Sequence, residues 1–297
     1  MGIVNKIKSV IGFEKLVIMG HENPDVDSIL SGYIFERYLI SQGIDAKFII
    51  PDKSISDESL NIVAKSFIDG NAFKGTVPEN SNLFLLDHSE TKIEGNVIGV
   101  IDHHPTIKKY KYPIYKNERA SSTTKLIYDV VEDKSFFTRD LIELVLLGLF
   151  VDTVSMKNSK TNPKDIPWVS EISKEYNLDI QYLIKEGYYL TDISDLEEAA
   201  INGKKEYVYG KYNVASSYIQ ITKLEEQILE NIIDVLSNKV KESNLDMWVF
   251  MIVDLKSVFT KVYKIEKNKI SLKEYSGIMS RGSYVMPIIE KELLKRK

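Results

Sequence analysis

"KLVIMGHENPDVDSILSGYIFERYLISQG" (residues 15–43) decides the fold. It opens with a short apolar, β-branched run that ends at Gly20, the pattern of a strand buried on both faces of a parallel sheet. It closes with apolar residues at helical spacing between Ser28, a predicted N-cap, and Gly43, a predicted stop. Between strand and helix lies "GHENPDVDS" (20–28), which is too polar for a core. Asn23, Pro24 and Asp25 predict a turn. A turn does not by itself require His21 or Asp27.

The same design recurs along the chain. "DAKFII" (45–50) reads as the next strand. "NLFLLDHSE" (82–90) is a strand running into a charged tip, and "NVIGVIDHHP" (96–105) repeats it. "RDLIELVLLGLFVDT" (139–153) is a long apolar helix that ends in another aspartate. Strands alternating with helices imply an α/β fold with a parallel sheet. In such sheets the carboxyl ends of the strands border the ligand crevice. His21, Asp25, Asp27, Asp87, Asp102 and His103 are therefore expected to converge, although they lie far apart in sequence.

After about residue 160 the texture changes. "NSKTNPKDIPW" (158–168) reads as a loop with two prolines, and 170–190 as helix. From 191 to 221 a polar helix gives way to alternating strands rich in tyrosine. A helix at 223–242 and two strands at 246–266 follow. This predicts a second, smaller α/β unit, with a boundary near 188–195. The domains are expected at 1–190 and 191–297. There is no internal repeat and no low-complexity segment.

Composition excludes several function classes. The 297 residues are 43% hydrophobic and 28% charged, as in globular proteins. The net charge of -4 gives no electrostatic case for nucleic-acid binding. Cysteine is absent, which removes disulfides, zinc–thiolate sites and a thiol nucleophile, and fits a cytoplasmic location. The longest apolar run, "LVLLGLFV" (144–151), falls far short of the roughly 18 residues of a membrane span. The first 15 residues lack the continuous apolar stretch of a signal peptide and read as a short amphipathic lead-in.

The candidate ligands are His21, Asp25, Asp27, Asp87, His88, Asp102, His103, His104 and Asp152. All four histidines of the chain are among them, and none of the 193 residues after His104 is a histidine. Packing or surface polarity would have scattered them. Taken singly, each cluster has a bland reading as a turn, a strand-end cap or a solvated loop. Four such clusters, three of them at predicted strand ends, point to one chemical purpose. Imidazole with several carboxylates and no thiolate suits Mn, Fe, Co or Zn and tolerates Mg. Several carboxylates can hold a pair of divalent ions about 3.5–4 Å apart, which activates water and clamps both oxygens of a phosphoryl transfer.

In this order, "GHENPDVDS", "LLDHSE", "VIDHHP" and "LFVDT" resemble the four N-terminal motifs of the DHH phosphoesterase superfamily. The glycine-rich "GGGH"-like motif of its nuclease branch is absent. Instead "GIMSRGSYVMP" (277–287) resembles the "SRKKQVVP" segment of the manganese-dependent (family II) inorganic pyrophosphatases. "KKEYVYGKYNVASSYIQI" (204–221) resembles the stretch that carries a substrate lysine there, which falls on Lys205. The resemblance runs from about residue 15 to 290. It implies a Rossmann-like DHH domain followed by a DHHA2-type domain with a mixed sheet, closing together over the site.

The resemblance also implies roles. His21, Asp25 and Asp87 would bind one metal. Asp27, Asp87, His103 and Asp152 would bind the other, with Asp87 shared. His104 would contact the substrate near the leaving oxygen, as donor or acid. Asp102 would steady the imidazoles from behind. Lys205 and Arg281 would grip the phosphates. The implied cofactors are two divalent ions, Mn2+ preferred with Co2+ or Mg2+ possible, and the implied state is a homodimer. The implied reaction is hydrolysis of diphosphate to two phosphates.

There is a departure at Ser280-Arg281-Gly282, followed by Ser283-Tyr284: the family's Lys-Lys-Gln is missing. Ser89 also stands where the family has Asn. One phosphate-binding lysine is therefore absent, with Lys204, Lys211 and Lys256 as candidate substitutes. Two alternatives stay open. One is an exopolyphosphatase or a hydrolase of another small phosphoanhydride or nucleotide. The other is a metal- and nucleotide-binding regulatory protein without turnover.

Overall fold

Strand β1 (Leu16–Met19) is buried at every position, and its neighbours on both sides run parallel to it. The computed structural model describes residues 2–12, 14–51, 55–106, 110–158, 160–187 and 190–296, with the backbone alone at Ser283. The chain divides into two compact units, 1–156 with 160–188 and 157–159 with 189–297.

In the first unit, α1 (Ile3–Ile11) turns Ile3, Val4, Ile7 and Ile11 inward, the amphipathic lead-in the sequence predicts. β1 follows, then α2 (Val26–Ser41), β2 (Ala46–Ile49), α3 (Asp57–Ala64), β3 (Asn82–Leu86), β4 (Asn96–Asp102) and β5 (Ile114–Asn117). The strands form one parallel sheet in the order β2-β1-β3-β4-β5. Helices α4 (Thr123–Val130), α5 (Arg139–Thr153), α6 (Asp165–Glu175) and α7 (Ile180–Gly187) complete the unit. The strand order reverses between β1 and β3, so a crevice opens at their carboxyl ends.

Two glycines explain how helix and sheet close on each other. A Cβ at Gly32 of α2 would stand 2.3 Å from the Phe48 ring, and one at Gly99 of β4 would stand 2.2 Å from the Phe84 ring. The missing side chains make room for two of the buried phenylalanine rings of that core. Phe84 also packs against Phe35 of α2, with ring centroids 5.0 Å apart.

The second unit holds α8 (Leu196–Ile201), β6 (Lys205–Tyr209), β7 (Tyr212–Ile221), α9 (Glu226–Glu242), β8 (Met247–Asp254), β9 (Phe259–Glu266), β10 (Lys269–Ser276) and α10 (Met286–Leu293). Its sheet runs β10-β9-β8-β7-β6, with β7 and β8 parallel and the other pairs antiparallel. In β8, successive side chains point to opposite faces. Trp248, Phe250 and Ile252 meet α9 through Ile232, Leu236 and Val240. Met247, Val249 and Met251 meet α10 through Met286, Ile289 and Leu293. The α/β architecture with one parallel and one mixed sheet is the one the sequence predicts.

Several local expectations need correction. Ser28 is not an N-cap: α2 begins two residues earlier, and Asp25 caps it by accepting from Ser28 N–H at 3.0 Å. The loop predicted over 158–168 ends at Asp165, because Pro167 sits in the first turn of α6, where its missing N–H costs nothing. The single helix predicted over 170–190 is two, broken where Asn177 adopts a left-handed φ of 51°. Tyr188 and Tyr189, its predicted end, lie outside the described residues.

Phe84 is fully buried. Phe84→Ala is expected to lower the unfolding free energy by about 3–5 kcal/mol, read from the shift in a urea denaturation midpoint. A shift worth less than about 1 kcal/mol would contradict the packing described here.

Candidate metal centre at the strand ends

Each acidic or histidine cluster is delivered by a defined piece of backbone. β1 ends at Met19, and the turn through Asn23, at φ 52°, puts His21 and Asp25 at the sheet edge. Asp27 enters one residue into α2. β3 ends at Leu86, and Asp87 follows with φ 67°, a left-handed conformation that costs on the order of 1–3 kcal/mol outside glycine. Its N–H donates to Ile101 O at 3.0 Å, so the sheet holds it there. β4 ends at Asp102, and His103 and His104 follow. Asp152 lies at the end of α5, just before Val154, Ser155 and Met156, which are all left-handed.

These elements bring six side chains together. His21 Nε2 lies 3.4 Å from Asp87 Oδ2 and 3.7 Å from Asp25 Oδ1. His103 Nε2 lies 3.4 Å from Asp87 Oδ1, 3.3 Å from Asp152 Oδ2 and 3.9 Å from Asp27 Oδ2. Two ligand sets result, His21–Asp25–Asp87 and Asp27–His103–Asp152, each with donor atoms within 4.8 Å of one another. A third set joins Asp87 to His103 and His104. Asp87 turns one carboxylate oxygen to each histidine.

The donors fit divalent cations. Asp87 Oδ2 and His103 Nε2 are buried, and each approaches opposite charge without hydrogen-bond geometry. Both imidazoles are fixed through the other nitrogen: His21 Nδ1–H donates to Glu22 O at 2.7 Å and His103 Nδ1–H to Ala120 O at 3.1 Å. Once its extra proton is lost, each ring would keep Nδ1–H and turn an Nε2 lone pair toward the carboxylates, as a ligating histidine requires.

Around them lies a shell of hydrogen bonds. Asp27 accepts from Thr123 N–H at 2.6 Å and Thr124 N–H at 2.9 Å, the N–H groups at the start of α4. Thr123 Oγ1–H donates to Asp87 Oδ1 at 2.9 Å. Asp102 accepts from His104 N–H and His104 Nδ1–H, both at 3.0 Å, and from Ser89 Oγ–H at 2.6 Å. Asp102 thus orients His104, while the Ala120 carbonyl orients His103. His88 Nδ1–H donates to Leu86 O at 2.9 Å, and His88 joins none of the ligand sets among the described residues.

Electrostatics show a site built around missing positive charge. Burial, then the negative charges of Asp87, Asp152 and Asp25, push the Asp27 carboxyl up to about 7 against the pull of His103. Burial lowers the His103 pKa, but its contact with Asp87 and the charges of Asp152 and Asp27 override this and raise it to about 10. Burial likewise opposes a charged His104, and Asp102 and Asp87 raise it above the ordinary value. Burial also opposes ionisation of Asp87, yet His103, His21 and His104 hold it well below the usual carboxylate range.

Two contributors escaped the sequence reading. Thr123 belongs to "SSTT" (121–124), where a run of small hydroxyls signals only a helix cap. Lys160 lies in the loop after α5, and its ammonium pairs with Asp152 Oδ1. Burial opposes its charge, and Asp152, Asp25 and Asp87 raise its pKa above the ordinary lysine value. No spacing in the sequence marks it.

The second unit holds the other predicted residues. Lys205 opens β6. The Arg281 guanidinium donates to Gly203 O, two residues before Lys205, and lies over the Tyr218 ring at 5.0 Å. Of the candidate substitutes, Lys204 pairs with Glu206 at 2.7 Å and Lys211 lies over the Tyr212 ring. A Cβ built on Gly282 meets nothing within 4 Å.

Comparison with known proteins places this geometry. Residues 15–149 match the model of the DHH family, N-terminal domain. A protein of Bacillus cereus (strain 03BB102) named "Probable manganese-dependent inorganic pyrophosphatase" is 24% identical over 307 residues, covering 93% of this chain and 98% of its own. A Bacillus anthracis protein of the same name is 23% identical with the same coverage. Among solved structures, a Methanococcus jannaschii protein assigned to the family II inorganic pyrophosphatases has TM-score 0.66 at 21% identity, covering 93% of this chain and 98% of its own. An exopolyphosphatase-related protein of Bacteroides fragilis has TM-score 0.52 at 18% identity, covering 99% and 97%. Residues 15–149 are similar to the N-terminal domain of the DHH family, and 93% of the chain is similar in fold to a protein titled as a family II inorganic pyrophosphatase.

Proposed function

We propose that the chain is a metal-dependent phosphohydrolase and that its substrate is inorganic pyrophosphate, split by water into two phosphates. Asp87 carries this reading: a buried carboxylate with an oxygen turned to each of two ligand sets at the sheet's switch point. The likeness to proteins named manganese-dependent inorganic pyrophosphatases supports it.

In this reading His21, Asp25 and Asp87 hold one divalent ion, and Asp27, Asp87, His103 and Asp152 hold the other. Bound there, two divalent ions supply an activated water and neutralise the charge of the phosphates, and Mn2+ is the favoured metal. The chain's own groups do the rest. Thr123 and the start of α4 fix the angle of Asp87 and Asp27. His104, its Nδ1–H held by Asp102 Oδ1, turns its other ring nitrogen to the substrate and donates a proton to the leaving phosphate oxygen. Lys205 and Arg281 bind phosphate oxygens, Arg281 as a planar fork. Gly282 favours a second reading, hydrolysis of polyphosphate or another small phosphoanhydride, because it stands where the pyrophosphatases carry a phosphate-binding lysine.

Three outcomes test this. The Mn2+-loaded chain is expected to release phosphate from pyrophosphate in a malachite-green assay, and Asp87→Ala to lose at least 99% of that rate. Release from long polyphosphate with none from pyrophosphate would defeat the substrate assignment. Because the Cβ of residue 282 has open space, Gly282→Lys is expected to lower the KM for pyrophosphate severalfold, and an unchanged KM would place residue 282 away from substrate. Metal uptake should also expel protons. His103 titrates at about 10 without metal and must be neutral to ligate, so it is protonated at pH 7 and gives up its proton on binding. Mn2+ affinity should therefore rise with pH and level off above about 10. Calorimetry in buffers of different ionisation heat should find at least one proton released per chain at pH 7, and none released would contradict His103 as a ligand.

A further inference from the structure

Among the described residues, Lys160 is the one lysine or arginine of the first unit seen in an ion pair with a carboxylate of the predicted metal ligands. Its ammonium pairs with Asp152 Oδ1, while Asp152 Oδ2 faces His103 Nε2 at 3.3 Å. The two oxygens are thus divided, one toward the lysine and one toward the ligand set. A metal held through Oδ2 does not require the lysine to leave. The Lys160 side chain is 18% exposed, sheltered but open in part to solvent. Asp152 Oδ2 meets His103, whose ring packs against that of His104 with centroids 4.4 Å apart, so the lysine, one ligand set and the proposed proton donor form one cluster.

Charge balance gives this position a use. Asp25, Asp27, Asp87 and Asp152 carry four negative charges, and two divalent ions carry four positive ones. The loaded centre is then neutral in sum, a poor attractor for an anion of several charges. One lysine fixed at its edge makes it cationic. Lys160 belongs to the same unit as the carboxylates, so this charge stays with the centre at all times.

We infer that Lys160 binds a phosphate oxygen of the substrate, a cation of the first unit that offsets the lysine missing at Gly282. This rests on the phosphoanhydride reading above. A phosphate on this centre would sit between Lys160 and His104, with the ammonium donating to a non-bridging oxygen. The competing role is a tethered counter-ion that holds Asp152 in place and never meets substrate.

The two roles separate by calorimetry with imidodiphosphate, a non-hydrolysable pyrophosphate analogue, titrated into the full Mn2+-loaded chain. Lys160→Met is expected to weaken analogue binding about tenfold or more, the loss of one charge-assisted hydrogen bond. Its Mn2+ content by elemental analysis should match the wild type. Lys160→Arg should keep affinity within about threefold, since it retains the charge and the donors. Lys160→Gln serves as the second neutral variant if the Met variant melts early. Equal analogue affinity in wild type and both neutral variants, at full metal content, would overturn the inference alone. Loss of Mn2+ with unchanged analogue affinity per loaded site would also overturn it and leave Lys160 as a positioning group for Asp152. A wild-type chain that holds Mn2+ but binds no imidodiphosphate would defeat the pyrophosphate reading and this inference with it.

Discussion

Three carboxylates buried at one edge of a sheet, with a fourth half-exposed beside them, are the constraint on which the rest of this structure depends. Asp27 and Asp87 are almost wholly buried, and Asp25 and Asp152 adjoin them. Like charges at this spacing in a low-dielectric setting repel strongly, and the site relieves that repulsion only by recruiting positive charge. Without metal it uses what the chain has: protons on His103 and His21, the N–H groups at the start of α4, and the Lys160 ammonium. These partners leave Asp87 Oδ2 and His103 Nε2 without hydrogen bonds. The arrangement is coherent as a cage that divalent ions complete.

The fold supplies the rigidity that such repulsion demands. β1 and β3 are fully buried, and the reversal of strand order between them leaves a gap at their carboxyl ends. Asp87 emerges there in a left-handed conformation, pinned by its N–H to Ile101 O. A strained residue on a packed strand keeps its side chain aimed where a flexible loop would let it turn away from its like-charged neighbours.

Much of this was legible in the sequence. Apolar runs ending in Gly20-His21, Asp87-His88 and Asp102-His103 mark strands that terminate in acidic and histidine clusters, because a strand buried on both faces has few polar residues except at its tip. The helix ending at Asp152 was legible for the same reason: an apolar stretch of helical length closed by a carboxylate. What escaped is what depends on tertiary approach. Asp25 rather than Ser28 caps α2, since the two residues compete for one helix start and only the turn at Asn23 decides. Thr123 reads as one hydroxyl among four until α4 is docked beside Asp87. Lys160 is an ordinary loop lysine until the chain after α5 folds back on Asp152. Periodicity reports which face of an element is buried, and it carries nothing about which loop returns to which carboxylate.

The central claim is that Asp87 joins two metal positions through one carboxylate. Electron paramagnetic resonance of the Mn2+-titrated chain tests it most directly. The account predicts two ions per chain and, at full loading, the spectrum of an exchange-coupled Mn2+ pair that collapses to isolated Mn2+ in Asp87→Asn. A single ion per chain, or two ions that stay magnetically uncoupled at full loading, would contradict it.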